Sequence, residues 1–244
     1  MENSGASKTQ KNGAACILIH GFTGTPWTFS ELVPELKKNS FKVSVPLLPG
    51  HGTKPSDLQK VKWQEWYSTI HREYEKLKNS KHVFLVGHSV GGALALLIAA
   101  RNDIAGVVSL SAPYKFSYPG IKLLPVIKPF VHCIKKHKNN FAGVKDAGYN
   151  CYPVKGISEC MKMLKTLQRE IHKVNCPVFF AHSRGDRRIK LKNMEKLLSG
   201  VSSSVKKSLV MENNYHMITK GQDRELLFKE VVSFIAEQTG STGR

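Results

Sequence analysis

The chain has 244 residues, 41% hydrophobic and 23% charged, and its 37 Lys and Arg against 18 Asp and Glu give a formal net charge of +19. That length suits one α/β domain, and burial of roughly three-quarters of the unfolded surface removes any need for disulfides or a structural metal. The composition excludes a disordered or low-complexity chain, and the longest apolar run, Ala93 to Ala100, is far too short to cross a bilayer.

The polar stretch Met1 to Gly13 carries no apolar core of a signal peptide and is expected to be flexible. A soluble, cytoplasmic protein is the expectation. Of the 37 basic residues 29 are lysines, spread along the chain without a nucleic-acid-binding motif, so nucleic acid is not an expected partner. The surplus reads either as compositional bias or as weak attraction to an anionic membrane surface. The five cysteines, Cys16, Cys133, Cys151, Cys160 and Cys176, form no C-x-x-C pair and are expected to be reduced.

In chain order, short Val/Ile/Leu/Phe runs alternate with helical patterns, the signature of parallel strands joined by crossover helices. Strands are predicted at Cys16–His20, Lys42–Leu47, His82–Gly87, Gly106–Leu110, Pro177–His182 and Ser208–Met211. Helices are predicted near Thr28–Lys38, Trp63–Asn79, Val90–Arg101, Leu191–Ser199 and Asp223–Glu237. Between Pro113 and Val174 the rhythm breaks into proline punctuation and scattered aromatics, too long for an ordinary connection. The core is therefore expected in 14–112 and 175–238. The segment 113–174 should be a mostly helical lid, and 239–244 a flexible tail. The lid holds 12 Lys and Arg against 3 Asp and Glu.

Gly87-His88-Ser89-Val90-Gly91 fits G-x-S-x-G, with a buried-strand run before it and a helical run after it. Small flanking residues permit a sharp strand-to-helix turn that exposes the serine hydroxyl. Such a hydroxyl needs a base, held in turn by a third group, and on this strand–turn–helix plan the order is Ser, acid, His. Only Asp103, Asp146 and Asp186 lie between Ser89 and the C-terminal histidine. Asp103 sits at the far end of the helix that Ser89 opens and Asp146 belongs to the lid, whereas Asp186 directly follows a strand. His216 is the only histidine after Asp186. Ser89, Asp186 and His216 are thus the candidate nucleophile, acid and base.

Two main-chain N–H donors should face the developing oxyanion. Val90 follows the nucleophile, and Phe22 lies in the loop after the first strand, where Gly21 lets the backbone approach closely. Gly21, His88, Phe116, Ile121, Leu124 and Ile127 are candidate substrate-binding residues. Tyr118, Leu123 and Val126 are further candidates for an apolar acyl channel.

His20-Gly21-Phe22-Thr23-Gly24-Thr25-Pro26, Pro49-Gly50-His51-Gly52-Thr53, Gly87-His88-Ser89-Val90-Gly91-Gly92 and Asn214-Tyr215-His216 together resemble bacterial monoacylglycerol lipases and their close carboxylesterase relatives. The resemblance runs from about Cys16 to Ile235, interrupted by the lid. It implies an α/β-hydrolase fold, a mostly parallel sheet of about six strands flanked by helices. It further implies cofactor-free hydrolysis of monoacylglycerols or short acyl esters, with no metal. The family's catalytic roles fall on Ser89, Asp186 and His216, and its oxyanion donors on Phe22 and Val90. The chain departs from the pattern at His88, where relatives often carry Leu, and at Arg187-Arg188 beside the acid. Positive charge there would keep Asp186 ionised, or compete with His216 for the carboxylate. An amidase, thioesterase or perhydrolase could use the same triad, and a basic, non-catalytic module binding membrane or protein is the third reading. The oligomeric state is not legible.

Overall fold

The computed structural model describes residues 13–118, 121–127, 129–136 and 148–240, with Lys122, Pro125 and Ile127 described in their main chain only. The two ends expected to be flexible, 1–13 and 239–244, fall almost wholly outside these residues.

Apolar runs without polar alternation make strands covered on both faces. The strands are β1 (Ala14–Ile19), β2 (Lys42–Ser44), β3 (His82–His88), β4 (Gly106–Leu110), β5 (Cys133–Lys135), β6 (Cys151–Pro153), β7 (Val178–Ser183) and β8 (Lys206–Met211). Six form one all-parallel sheet in the order β2-β1-β3-β4-β7-β8, the expected architecture. Along β1, Ala15, Ile17 and Ile19 face one hydrophobic cluster, and Ala14, Cys16 and Leu18 face the other. This period of two explains why a strand with no polar residue suits the middle of the sheet.

Helices cover both faces. The first cluster takes side chains from α3 (Trp63–Leu77), α4 (Val90–Ala99) and α7 (Lys192–Gly200). The second takes them from α1 (Leu32–Lys38) and α8 (Arg224–Gln238). A short α2 (Pro55–Leu58) precedes α3. The helix predicted over Thr28–Lys38 is split. Pro26–Phe29 forms a 3₁₀ turn and α1 begins at Leu32. Pro34 has no N–H to donate and is tolerated only in a first turn, so the α-helix cannot begin much earlier. Strand β2 ends at Ser44 rather than Leu47, because this edge strand pairs with β1 over three residues only.

Between β4 and β7 the chain forms a 3₁₀ turn at Ile121–Leu123, then α5 (Leu124–Ile127), the antiparallel pair β5–β6, and α6 (Val154–Glu170). The strand pair is an addition to the mostly helical insertion that was expected. Cys160, Met163, Leu164 and Leu167, spaced along one face of α6, join the core cluster beside α4. Arg101 and Glu170 tie the two helices by a 2.6 Å ion pair.

The cysteine expectation requires correction. Cys133 and Cys151 form a disulfide, with Cα atoms 5.8 Å apart across the β5–β6 hairpin. Their separation in sequence gave no sign of this proximity, which the antiparallel strands create. Such bonds persist in oxidising surroundings, a condition absent from the reading as a cytoplasmic protein. Cys16, Cys160 and Cys176 are free. Among the described residues no helix is long and apolar enough to cross a membrane.

From β1 the chain goes out to β2 and then back past β1 to β3, so the loops after β1 and β3 diverge at the sheet's C-terminal edge. Such a reversal opens a crevice there. The His20–Gly24 loop and Ser89 meet in it.

Candidate active site

Ser89 lies between β3 and α4 with φ 54° and ψ −124°, in the left-handed region that a residue bearing Cβ avoids. Holding it costs on the order of 1–3 kcal/mol, supplied by the surrounding fold. Its N–H donates to Leu110 O at 2.7 Å. Gly87 and Gly91 let α4 descend onto the sheet: a Cβ on Gly87 would stand 2.3 Å from Gly91 O, and one on Gly91 only 2.1 Å from Ile19 O. The turn is tight because the sequence has removed every Cβ that would open it.

The structure brings Ser89, His216 and Asp186 together. His216 Nε2 is 2.9 Å from Ser89 Oγ and His216 Nδ1 is 2.7 Å from Asp186 Oδ2. Asp186, 2% exposed, sits in the loop after β7, and its Oδ1 accepts the N–H groups of Arg188 at 2.8 Å and Ile189 at 2.9 Å. Burial would raise this carboxyl's pKa. The charge and hydrogen bond of His216, the Ile189 N–H and the nearby His182 outweigh it and hold the group below its ordinary value. The concern over Arg187 and Arg188 is met for Arg188, whose main chain serves the carboxylate while its side chain leaves Oδ2 to His216.

The His216 loop is fastened from three sides by residues whose roles the sequence did not reveal. Ser183 Oγ donates to Asn214 O. Asn214 Nδ2 donates to Asp223 Oδ2 at 2.6 Å, and His88 Nε2 donates to His216 O at 2.9 Å. His88 therefore acts on the loop that carries the base. His182 donates from Nε2 to Ile189 O at 2.7 Å and so supports the turn around Asp186. Asn214 belongs to the Asn214-Tyr215-His216 motif, but nothing in its spacing signalled the hydrogen bond to Asp223.

The N–H groups of Phe22 and Val90 have no acceptor within the described residues. Gly21 brings the first of these loops against the serine, since a Cβ there would stand 3.0 Å from Ser89 Cβ. The loop is set by His20, which accepts Leu48 N–H on Nε2 at 3.1 Å and donates from Nδ1 to Gly21 O at 3.0 Å. His51 packs edge-on to His20, 4.9 Å between centroids. Tyr149 ties the insertion to both loops, donating its main-chain N–H to Thr23 O at 3.1 Å and its hydroxyl to Gly50 O at 2.7 Å.

Burial lowers the pKa of His20 to about 3, of His51 to about 4 and of His88 to about 3. All three are neutral in the fold but gain protons in the unfolded chain below about pH 6.5. Their contribution to stability is complete above that pH and is lost as pH falls towards the folded values, by up to about 1.4 kcal/mol per pH unit for each. We expect the unfolding midpoint in urea to drop steeply between about pH 6.5 and about pH 4.5. A flat midpoint over that window contradicts it.

A cavity of about 550 Å³ opens from Ser89, Val90 and His216. Phe22, Phe116, Ile121, Leu124, Ile134, Tyr152 and Ile157 are among its walls. Tyr118 and Leu123 also line it, whereas Val126 is 66% exposed and does not. The side chain of Ile127 lies outside the described residues. Phe22 stacks on Tyr152 at 6.2 Å, which joins the oxyanion loop to the hairpin. Among the described residues no group of three or more His, Cys, Asp or Glu is disposed to hold a metal ion.

Residues 16–149 match the family described as "Alpha/beta hydrolase family", and the chain belongs to it. The relatives that match nearly its whole length put it in the carboxylic ester hydrolase class. It is 26% identical to the thermostable monoacylglycerol lipase of Bacillus sp. (strain H-257), over 92% of this chain and 91% of that one. It is 23% identical to a carboxylesterase of Bacillus subtilis (strain 168), over 91% and 92% of the two chains. A solved structure from the metagenome-derived lipolytic enzymes LipS and LipT superposes with a TM-score of 0.88 at 26% identity, covering 93% of this chain and 94% of the other. A soluble variant of the Saccharomyces cerevisiae monoglyceride lipase, with a TM-score of 0.80 at 18% identity over 95% and 88% of the chains, shares the fold.

Proposed function

We propose that this protein hydrolyses monoacylglycerols or other short-to-medium acyl esters through an acyl-enzyme, without a cofactor. The observation that carries the reading is the continuous hydrogen-bonded line from Ser89 Oγ through His216 to Asp186 at the floor of an apolar cavity. His216 Nε2 takes the Ser89 proton as Oγ attacks the ester carbonyl, and Asp186 stabilises the imidazolium that forms. The tetrahedral oxygen is held by the Phe22 and Val90 N–H groups. His216 then gives its proton to the departing alcohol, and water, activated by the same imidazole, releases the acid.

The acyl chain lies along Phe116, Ile121 and Leu124, and the described residues of the insertion after β4 act as the cover of this channel, with Tyr118, Leu123, Ile134, Tyr152 and Ile157 also on its wall. On that cover Leu123, Val126 and Phe130 are 59%, 66% and 84% exposed in a lysine-rich segment, which supports weak association with an anionic membrane surface. The ester reading is tested by hydrolysis of p-nitrophenyl butyrate and of a monoacylglycerol by the wild type and Ser89→Ala. Loss of about 10⁴-fold or more in kcat with an unchanged unfolding midpoint is expected. Retained activity in Ser89→Ala removes the assignment.

A further inference from the structure

Ser89 and His216 border a second, smaller recess of about 30 Å³, whose wall includes Gly24, Thr28, Met217, Lys136 and Arg188. No Asp or Glu lines either space, and Arg188 borders both. The large cavity, which Lys135 also touches, is walled mainly by apolar side chains, whereas the small recess has Lys136 and Arg188 beside the reacting atoms and only Phe22 and Met217 as large apolar neighbours. Ester cleavage needs both spaces. One part of the substrate must run into the apolar cavity, and the other must hold its leaving oxygen within reach of His216 Nε2. The acyl chain belongs to the apolar side, which leaves the polar recess to the alcohol.

We infer that the preferred esters carry an anionic group on the alcohol, a phosphate or a carboxylate, held by Arg188 and Lys136 at the recess beside Ser89. This rests on Ser89 being the nucleophile.

Arg188 is fixed at its root, because its main-chain N–H is bonded to Asp186 Oδ1. Its guanidinium forms no ion pair with any described carboxylate, and both oxygens of Asp186 already have hydrogen-bond donors. The guanidinium fork matches the oxygens of either anion. Lys136 approaches from the end of β5, its Nζ 5.1 Å from the centroid of the Tyr152 ring that stacks on Phe22. Both side chains are half-buried, where charge-assisted hydrogen bonds keep more of their strength than at an open surface.

Electrostatics of the reaction favour the same assignment. Arg188 close to His216 opposes the imidazolium that forms in the transition state. A neutral substrate leaves that opposition in place, whereas an anion on the alcohol cancels it. The preference should therefore appear in kcat as well as in KM. The 12 basic against 3 acidic residues of the 113–174 insertion would draw such a substrate towards the opening.

The test compares three soluble short-chain esters of one acyl length. They are a monoacylglycerol, the same monoacylglycerol bearing a phosphate on the glycerol, and an ester of an alcohol bearing a carboxylate. A fourth ester, with its carboxylate on the acyl end, tests the side of the bond. Wild type should show kcat/KM about tenfold or more higher for the two anionic alcohols than for the neutral one, shrinking at high salt. The ratio should fall towards one in Arg188→Gln combined with Lys136→Gln, and recover in part in Arg188→Lys. No preference in wild type overturns the inference, even if the variants fail to fold. So does a preference untouched by the substitutions, or one confined to the acyl-end carboxylate. Hydrolysis of p-nitrophenyl butyrate by the wild type separates the two readings: its loss counts against Ser89 as nucleophile, and its presence assigns any failure to the recess.

Discussion

Asp186→Asn should lower kcat for ester hydrolysis by about 10⁴-fold while leaving KM within a few-fold. The size follows from the number of acceptors at this position. Asp186 accepts three hydrogen bonds, from the main chains of Arg188 and Ile189 on Oδ1 and from His216 on Oδ2. Asparagine has one carbonyl oxygen, and the two main-chain N–H groups cannot turn away from it. Its NH₂ then faces His216 Nδ1. A donor there makes Nδ1 the acceptor and moves the ring proton to Nε2, the atom that must accept the Ser89 proton. The geometry survives and the tautomer is wrong. Steady-state kinetics with p-nitrophenyl butyrate, beside an unfolding curve, checks this. A loss of less than tenfold would mean that Asp186 does not set the tautomer.

Gly91→Ala should cost about 3 kcal/mol or more, or prevent folding altogether. The added methyl would meet two carbonyl oxygens, Ile19 O at 2.1 Å and His20 O at 2.5 Å. Neither side can yield cheaply. Strand β1 is an inner strand of the sheet, and every residue of α4 is buried. Relief would require the helix to rise from β1, which would also carry Val90 away from the Phe22 loop. Gly200→Ala makes the contrast, because its methyl would meet only side-chain carbons of Ile171, the nearest at 3.0 Å. Urea unfolding of both variants decides the matter. Equal, small effects would mean that the contact of α4 with β1 is looser than it stands here.

The sheet is legible in the sequence because its inner strands are short, mostly apolar and buried, and are separated by helices, so pattern and burial coincide there. The elbow is legible because a glycine-flanked serine stands between such a strand and such a helix. Asp186 and His216 are legible by scarcity, one suitable aspartate and one histidine being left in the required order. The supporting shell leaves no comparable trace. Ser183, Asp223 and His88 converge on the His216 loop from three separate elements, through hydrogen bonds that follow no sequence period. The Cys133–Cys151 bond belongs to the same class, since only the hairpin makes the two neighbours. The break between Phe29 and Leu32 was foreshadowed in the sequence by Pro34, which confines the start of α1, but the apolar spacing through Thr28–Lys38 masked it. Arg188 was visible as an oddity beside the acid. Its direction, main chain to Asp186 and side chain to the recess, requires the folded turn.

The central claim is that Ser89 is a nucleophile activated by His216. The most direct measurement is reaction with a fluorophosphonate ester, followed by mass mapping of the digested protein. The account predicts one adduct per chain, on Ser89, absent in Ser89→Ala and formed far more slowly in His216→Ala. An adduct on another residue, or equal labelling without His216, would contradict it.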